Sequence, residues 1–261
     1  MDILKYLLKM GLFVLSVAAN SQTLLTQDVL DVLAPTGRLR AALYLGGPTN
    51  VIVNATTGKM SGVGYEIGKE LARRLGIPYE PVIYETPKLL VNEVGSGNWD
   101  VAFIARSSSR KAIMNFTETY LSLEQGFLVT ADSPIQTMND VNQPGIRVGV
   151  PAGGSVIPRV ARVLTDEHLV EVAMSYAADL MRSRSVDVFS ANKGNLFAIS
   201  DQLPGSRVLD GHFTVDEFAL GAAKGNEIIM PFLNEFIKDI ESKGLIKAAG
   251  KRAGIRGAIY H

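Results

Sequence analysis

The spacing of apolar residues along this chain changes repeatedly between a helical period and short continuous runs. From Val63 to Leu75, apolar residues recur every three or four positions with charged residues between them, and Gly76 ends the pattern. This spacing predicts an amphipathic helix over Val63–Leu75. Short apolar runs at 38–45 and 79–84 flank it and predict a strand on either side.

The same alternation continues along the rest of the chain. Ranges that predict strands are 100–105, 121–130, 146–150, 168–173, 186–190, 207–209 and 217–223, and ranges that predict helices are 88–94, 176–182, 195–203 and parts of 226–250, with a further helix carrying Val160 and Val163. Strands that alternate with helices form parallel sheets covered on both faces. We therefore expect an α/β fold of two lobes, each a mostly parallel sheet flanked by helices.

When a chain passes twice between two lobes, the two crossing segments form a hinge. We expect the crossings near 130–132 and near 210–214, which places the first lobe at 36–130, the second at 131–212 and the return to the first at 213–261. Ligands of such sheets bind beyond the carboxyl ends of the strands, and a cleft between lobes is the usual pocket. The pattern therefore predicts a ligand site between the lobes.

Composition narrows the classes of partner. The chain has 261 residues with a formal net charge of +0, whereas a nucleic-acid partner calls for a basic excess. It contains no cysteine, which excludes disulfides and thiolate metal sites. The three histidines, His168, His212 and His261, are too scattered to form a ligand set. We expect no metal, no other cofactor and no nucleic acid.

The amino-terminal residues 1–19 resemble a secretory signal. Lys5 and Lys9 come before the apolar run 11–19, which ends in the small residues V-A-A. The run is short for a membrane span, so we interpret it as a signal peptide. The alternative is an ordinary amphipathic helix at the amino terminus.

Four motifs occur in a characteristic order. They are G-V-G-Y-E at 62–66, L-G-I-P-Y-E at 75–80, G-S-G-N-W-D-V-A at 95–102 and V-G-V-P-A-G-G-S at 148–155. This order resembles family 3 of the bacterial extracellular solute-binding proteins, the polar-amino-acid class. The resemblance implies a periplasmic, monomeric clamp that closes on a small polar solute and delivers it to the permease of an ABC transporter. It implies binding and not a reaction.

The resemblance also points to residues of the first lobe. In the family an arginine six positions before an F-S or F-T pair grips the ligand's carboxylate, and Arg110 stands six before Phe116. A guanidinium pairs bidentately with a carboxylate, although a surface arginine is the alternative. Ser107 is the expected hydroxyl donor, with helix capping as its alternative. Tyr44, which ends the first predicted strand, is the expected aromatic contact, with core packing as its alternative.

In the second lobe, Gly154 and Ser155 follow a predicted strand and open a helix. Backbone N–H groups at a helix start attract an anion, so we expect both residues to contact the ligand. The alternative is an ordinary strand-to-helix turn capped by Ser155. The spacing of the glycines does not fit a nucleotide-binding loop.

Asn192 marks a departure from the family pattern. The resemblance places at this position a carboxylate that neutralises the ligand's ammonium, whereas an amide brings no charge. An ammonium buried against an amide alone is poorly compensated. We therefore expect a carboxylate-bearing or neutral polar ligand, or one whose cation sits elsewhere, rather than an ordinary amino acid. We also expect Asn192 to contact this ligand. A helix cap is the alternative role of Asn192.

Two other functions remain open. A few relatives on this fold are cyclohexadienyl dehydratases, and such a reaction needs a general acid or base, for which Glu85 and Glu124 are the candidates. No paired catalytic constellation is visible in the sequence. The other function is a sensing module that docks on a membrane partner, although no signalling domain is attached in this sequence.

Overall fold

The computed structural model describes residues 24–164 and 169–261. The predicted signal segment lies outside the described residues. Helices are α1 (Gln27–Leu33), α2 (Val63–Leu75), α3 (Pro87–Asn92), α4 (Ser108–Ile113), α5 (Ile157–Val163), α6 (Ala177–Arg182), α7 (Lys193–Ser200), α8 (Met230–Ser242) and α9 (Leu245–Arg252). In this part of the chain, no helix combines the length and apolar character needed to cross a bilayer.

The strands form one curled sheet and a small hairpin. Strands are β1 (Leu39–Tyr44), β2 (Ile52–Val53), β3 (Met60–Ser61), β4 (Tyr79–Tyr84), β5 (Val101–Ala105), β6 (Met114–Phe116), β7 (Leu121–Val129), β8 (Val148–Pro151), β9 (Leu169–Val172), β10 (Val188–Asn192), β11 (Arg207–Val208), β12 (Thr214–Ala223) and β13 (Ala258–Tyr260). The main path of the large sheet runs β4-β1-β5-β12-β7-β10-β8-β9, while β2 pairs with β3 alone.

The two ends of this path are parallel and its centre is antiparallel. Strands β4, β1 and β5 are parallel to one another, and so are β10, β8 and β9. Between them β12 pairs antiparallel with β5 and with β7, and β7 pairs antiparallel with β10. The parallel groups are those that the alternation of strands and helices predicts.

Strand β7 belongs to both halves of the sheet. Its residues 121–125 pair with β12, and its residues 125–129 pair with β10. Gln125 is the residue at the change of partner, opposite both Thr214 and Asn192. The chain therefore passes between the halves inside a continuous strand. The lobe limits expected at 130 and 212 stay predictions.

Helix α2 has the bounds that its apolar period predicts. Its buried face includes Ile67 and Leu71, which pack into the core of the first half. Gly76 ends it with φ 69°, a left-handed conformation that glycine adopts at little cost, and its N–H donates to Ala72 O. The second half has separate cores, one around Phe127 and one around Phe189.

An equivalent arginine–aspartate pair anchors the parallel strands of each half. The Arg40 N–H and guanidinium both donate to Asp100, with N to Oδ2 at 2.8 Å and Nη2 to Oδ1 at 2.6 Å. In the second half, Arg147 donates to Asp187 in the same way, at 2.9 Å for both contacts. Asp100 directly precedes β5, and Asp187 directly precedes β10. Each contact therefore aligns the strand that follows the aspartate with its parallel neighbour.

Candidate functional site

A small cavity lies where the carboxyl ends of the parallel strands of both halves meet. Tyr44 ends β1 and Asn192 ends β10, and both line it. Its volume is about 30 Å³. Arg110, Gly154 and Ser155 also line it, so five of the six residues expected to bind the ligand lie together. Whether they bind it stays a prediction.

Arg110 is a buried cation. It is 5% exposed, its Nη1 donates to Ala105 O at 2.6 Å, and its Nη2 donates to Gly153 O at 2.7 Å. The second bond links the first half to the second. Among the residues that the structure describes, no carboxylate forms an ion pair with Arg110. Burial lowers the pKa of Arg110 below its ordinary value, but a guanidinium remains charged at neutral pH.

Ser107 does not line the cavity. Its Oγ accepts a hydrogen bond from the Arg110 N–H at 3.3 Å and caps helix α4. This is the alternative role considered for Ser107, because a serine before a helix satisfies one of its free N–H groups. The cap holds the first turn of the helix that carries Arg110. Direct contact of Ser107 with a ligand remains a prediction without support from this geometry.

The glycines of the second half form a tight turn rather than an open helix start. Gly153 has φ 67°, and a Cβ added there would lie 2.6 Å from Lys88 Cα in the first half. The Gly154 N–H donates to Pro151 O at 2.8 Å, and the Gly153 N–H donates to Glu171 at 3.0 Å. Helix α5 begins only at Ile157. These two N–H groups are therefore already used within the protein.

Asn192 has the capping role and also lines the cavity. Its Oδ1 accepts from the Asn195 N–H at 3.0 Å, at the start of helix α7. Lys193 beside it forms an ion pair with Glu124 at 2.7 Å. Asn192 Oδ1 therefore already accepts a hydrogen bond from the helix that Asn192 caps.

Tyr44 is held by a buried asparagine. The Tyr44 N–H donates to Asn50 Oδ1 at 2.8 Å, and Asn50 Nδ2 donates to Phe103 O at 2.5 Å. Asn50 therefore ties the end of β1 to β5. Tyr44 is 8% exposed, and burial raises the pKa of its phenol, so it stays protonated. It offers a neutral aromatic wall.

Sequence reasoning missed a buried carboxylate in this cavity. Asp216 of β12 is 3% exposed and lines the cavity. Its Oδ1 accepts from Ser155 Oγ at 2.6 Å and from Arg159 Nη1 at 3.1 Å, while its Oδ2 accepts from Gln125 Nε2. Burial raises the pKa of Asp216, and the bond from Ser155 and the nearby arginines oppose this.

A signal for Asp216 was present in the sequence. Alternate residues of a strand share a face, and Asp216 stands two positions before Phe218 and four before Leu220, both of which are buried. An acid in register with buried residues indicates a partnered carboxylate. The predicted strand began at 217, which left Asp216 in a loop. Asp216 therefore places a carboxylate in the cavity from β12, although Asn192 provides none at the end of β10.

The other charged residues considered for the site do not line the cavity. Arg106, four residues before Arg110, forms an ion pair with Glu217 at 2.8 Å. Glu124, considered as a catalytic acid, contacts Lys193 and His212. Neither Glu124 nor Glu85 lines the cavity. In the described ranges, no cluster of acids and histidines suited to a metal ion is present.

Comparison with known proteins agrees with this architecture. The model of the family described as bacterial extracellular solute-binding proteins, family 3, matches residues 46–253. The chain is 24% identical over 212 residues to a glutamine-binding protein of Geobacillus stearothermophilus, which covers 79% of this chain and 80% of that protein. It is 21% identical over 196 residues to an ABC transporter glutamine-binding protein of Bacillus subtilis, covering 73% of this chain and 71% of that protein.

Solved structures share the fold. A mutant of ArgBP from T. maritima superposes with a TM-score of 0.76 at 19% sequence identity, over 87% of this chain and 99% of the other. This match confirms the predicted two-lobed α/β fold. The two curated relatives are named as binding proteins rather than enzymes.

Proposed function

Because this chain belongs to family 3 of the bacterial extracellular solute-binding proteins, as its motifs predicted, we propose that it captures a carboxylate-bearing polar solute between its lobes and delivers it to an ABC transporter. Solute binding is the role that the family supports. The solute's carboxylate and its delivery to a permease are the proposed parts. The observation that supports the carboxylate is Arg110, a buried guanidinium whose two hydrogen-bond acceptors among the described residues are neutral carbonyls.

Burial of an uncompensated charge is costly, and neutral carbonyls compensate it only in part. The planar fork of a guanidinium matches a carboxylate, and such bidentate pairs are among the strongest polar contacts in proteins. A ligand carboxylate beside Arg110 would provide the missing negative charge. The bond from Arg110 to Gly153 joins the two halves of the sheet, which supports a contact between this side chain and a solute held by both lobes.

Capture requires the lobes to separate. Ligand pockets usually measure roughly 300–1,000 Å³, far above the cavity volume of about 30 Å³. We propose that the lobes open by bending at β7 and β12, where the chain passes between them, and close again around the solute. The conformation described here then represents a closed clamp.

The compartment and the partners follow from the same family. We propose that residues 1–19 direct secretion, that the mature protein works as a monomer in the periplasm, and that a membrane permease is its partner. The two curated relatives are named for glutamine, so glutamine is the first solute to test.

The test is isothermal titration of the protein with glutamine, preceded by a thermal-shift screen of amino acids and organic acids, because a ligand of the folded state raises the melting temperature. Arg110→Ala should weaken binding of the identified carboxylate ligand by about 2–5 kcal/mol. Arg106→Ala is the matched control, since that nearby arginine is paired with Glu217, and it should bind normally. Equal affinity of wild type and Arg110→Ala would refute the role of Arg110, and a screen whose hits all lack a carboxylate would refute the proposed ligand class.

A further inference from the structure

A second and larger space lies beside the cavity that Arg110 lines. Its volume is about 310 Å³, against about 30 Å³ for the cavity. Met174 and Asn195 line both, so the two spaces adjoin. We call the larger space the side groove and define it by six apolar residues of its wall. They are Val51, Ile52 and Val53 of the first half and Met174, Ala178 and Ile199 of the second.

The wall of the side groove carries no charge among the residues that the structure describes. Its polar side chains are those of Ser175, Asn195 and Gln202, which are all neutral. The adjoining cavity differs, because Arg110 and Asp216 line it. A charged group placed in the side groove would lose hydration without gaining a partner of opposite charge, which is unfavourable. The side groove therefore suits an uncharged and mainly apolar group.

Two apolar residues of this wall remain uncovered. Ile52 and Val53 form β2 and are 39% and 38% exposed. Their strand pairs with β3 alone, so the large sheet does not cover them. Removal of apolar surface from water is favourable, and a molecule in the side groove would cover part of both side chains.

Asn195 marks the junction of the two spaces and has an unsatisfied acceptor. Its Oδ1 is buried and has no hydrogen-bond donor within the described part of the chain. A Cβ added to Gly47 would lie 2.9 Å from this oxygen, so a turn of the first half covers it from across the cleft. A buried acceptor without a donor is costly. Separation of the lobes would uncover Oδ1 and let a solute that passes this point donate to it.

We propose that the side groove is a specificity subsite, which receives the body of the solute and selects an uncharged, mainly apolar chain or ring. This inference rests on the proposed function, because it places the carboxylate of the same solute at Arg110. Residues of both halves form the wall, so a solute that fills the side groove also stabilises the closed clamp. Solutes with an acidic or basic side chain are thereby disfavoured.

The test is isothermal titration with amino acids, which share one carboxylate and differ in the side chain. Leucine, methionine and phenylalanine have apolar side chains, glutamine has a neutral polar one, and glutamate and lysine have charged ones. At least one apolar member should bind roughly tenfold to 100-fold more tightly than the other three, because burial of a large apolar side chain contributes about that factor. Hexanoic acid should likewise bind more tightly than adipic acid, whose second carboxylate would enter the side groove.

The outcomes separate the two proposals. Preference for glutamine, glutamate, lysine or adipic acid, with binding that Arg110→Ala still weakens, would overturn the side groove and leave the proposed function standing. Binding that Arg110→Ala leaves unchanged, or failure of every carboxylate to bind, would overturn both.

A charge placed in the wall locates the selectivity. Ile52→Lys should weaken binding of the apolar ligand roughly tenfold and shift the preference towards glutamate, because the new ammonium opposes an apolar group and attracts a carboxylate. Ile228→Lys is the matched control, since Ile228 is 49% exposed and does not line the side groove, and it should bind like wild type. Equal losses in the two variants, or wild-type selectivity of Ile52→Lys, would overturn the subsite.

Discussion

Closure of the clamp is most directly tested at Gly153. Its Cβ position lies 2.6 Å from Lys88 Cα and 2.7 Å from Lys88 N, and these backbone atoms belong to the opposite lobe. Ordinary carbon–carbon contacts are about 3.5–4.0 Å, so Gly153→Ala would move the two surfaces apart by roughly 1 Å. The bond from Arg110 Nη2 to Gly153 O, now 2.7 Å, would then become too long to count as a hydrogen bond.

The expected loss follows from that bond. A hydrogen bond to a charged group contributes about 1.5–3 kcal/mol, and about 1.4 kcal/mol changes an affinity tenfold. Gly153→Ala should therefore weaken ligand binding by about 10- to 150-fold, measured by isothermal titration with the ligand found in the screen. The substitution also places alanine at φ 67°, which costs about 1–2 kcal/mol of stability by itself.

Gly145→Ala separates the two effects. Gly145 has φ 85° and lies in the same lobe, and apart from its chain neighbours no atom of the described residues lies within 4 Å of its Cβ position. It should lose stability to a similar extent and keep its affinity. The reasoning would be refuted if Gly153→Ala bound the ligand within threefold of Gly145→Ala.

Two further perturbations test the framework around the cleft. Asn50→Ala should reduce the free energy of unfolding by about 1–3 kcal/mol in urea denaturation, because buried backbone groups of Tyr44 and Phe103 lose their partner; an unchanged midpoint would contradict this. At Glu70, hydrogen bonds from Arg73 hold the pKa at about 2 instead of 4.5. The ionised Glu70 therefore stabilises the fold above pH 4.5, and this stabilisation is lost as the pH falls towards 2. For a surface pair the loss in unfolding free energy is about 1 kcal/mol. Glu70→Gln should therefore lose less stability than wild type between pH 4.5 and pH 2. Identical plots of unfolding free energy against pH for the two proteins would exclude this contribution of Glu70.

Much of the fold could be predicted because the residues that the apolar spacing assigns to a buried face are buried in the structure. The bounds of α2 and β4 are those of their apolar patterns, since each pattern ends at a residue that breaks it. The hairpin of β2 and β3 and the short strand β13 were missed. These strands have two or three residues each, too few to show a period, and β13 exists because β7 offers it an edge to pair with.

Site residues that belong to a sequence motif were predicted. Site residues that only tertiary contacts bring to the cavity were missed. Arg110 and Asn192 have sequence neighbours that identify them. Gln125 and Asp216 are polar residues inside buried strands, where a polar residue ordinarily argues against burial. Their burial is possible because they bond to each other and because Ser155 comes to Asp216 from the other lobe.

The distribution of paired and unpaired charge distinguishes the two ends of the sheet. At the amino ends of the parallel strands, the charges form two ion pairs that fix the alignment of the strands. These pairs are Arg40 with Asp100 and Arg147 with Asp187. At the carboxyl ends, Arg110 faces the cavity without an ion pair among the residues described, whereas Asp216 beside it is paired with Arg159 at 3.1 Å. Complete pairing serves stability, and we infer that the unpaired charge of Arg110 is left for a ligand to complete. Substitution at the amino ends should therefore change unfolding without changing ligand selectivity, and substitution at the carboxyl ends should change selectivity first.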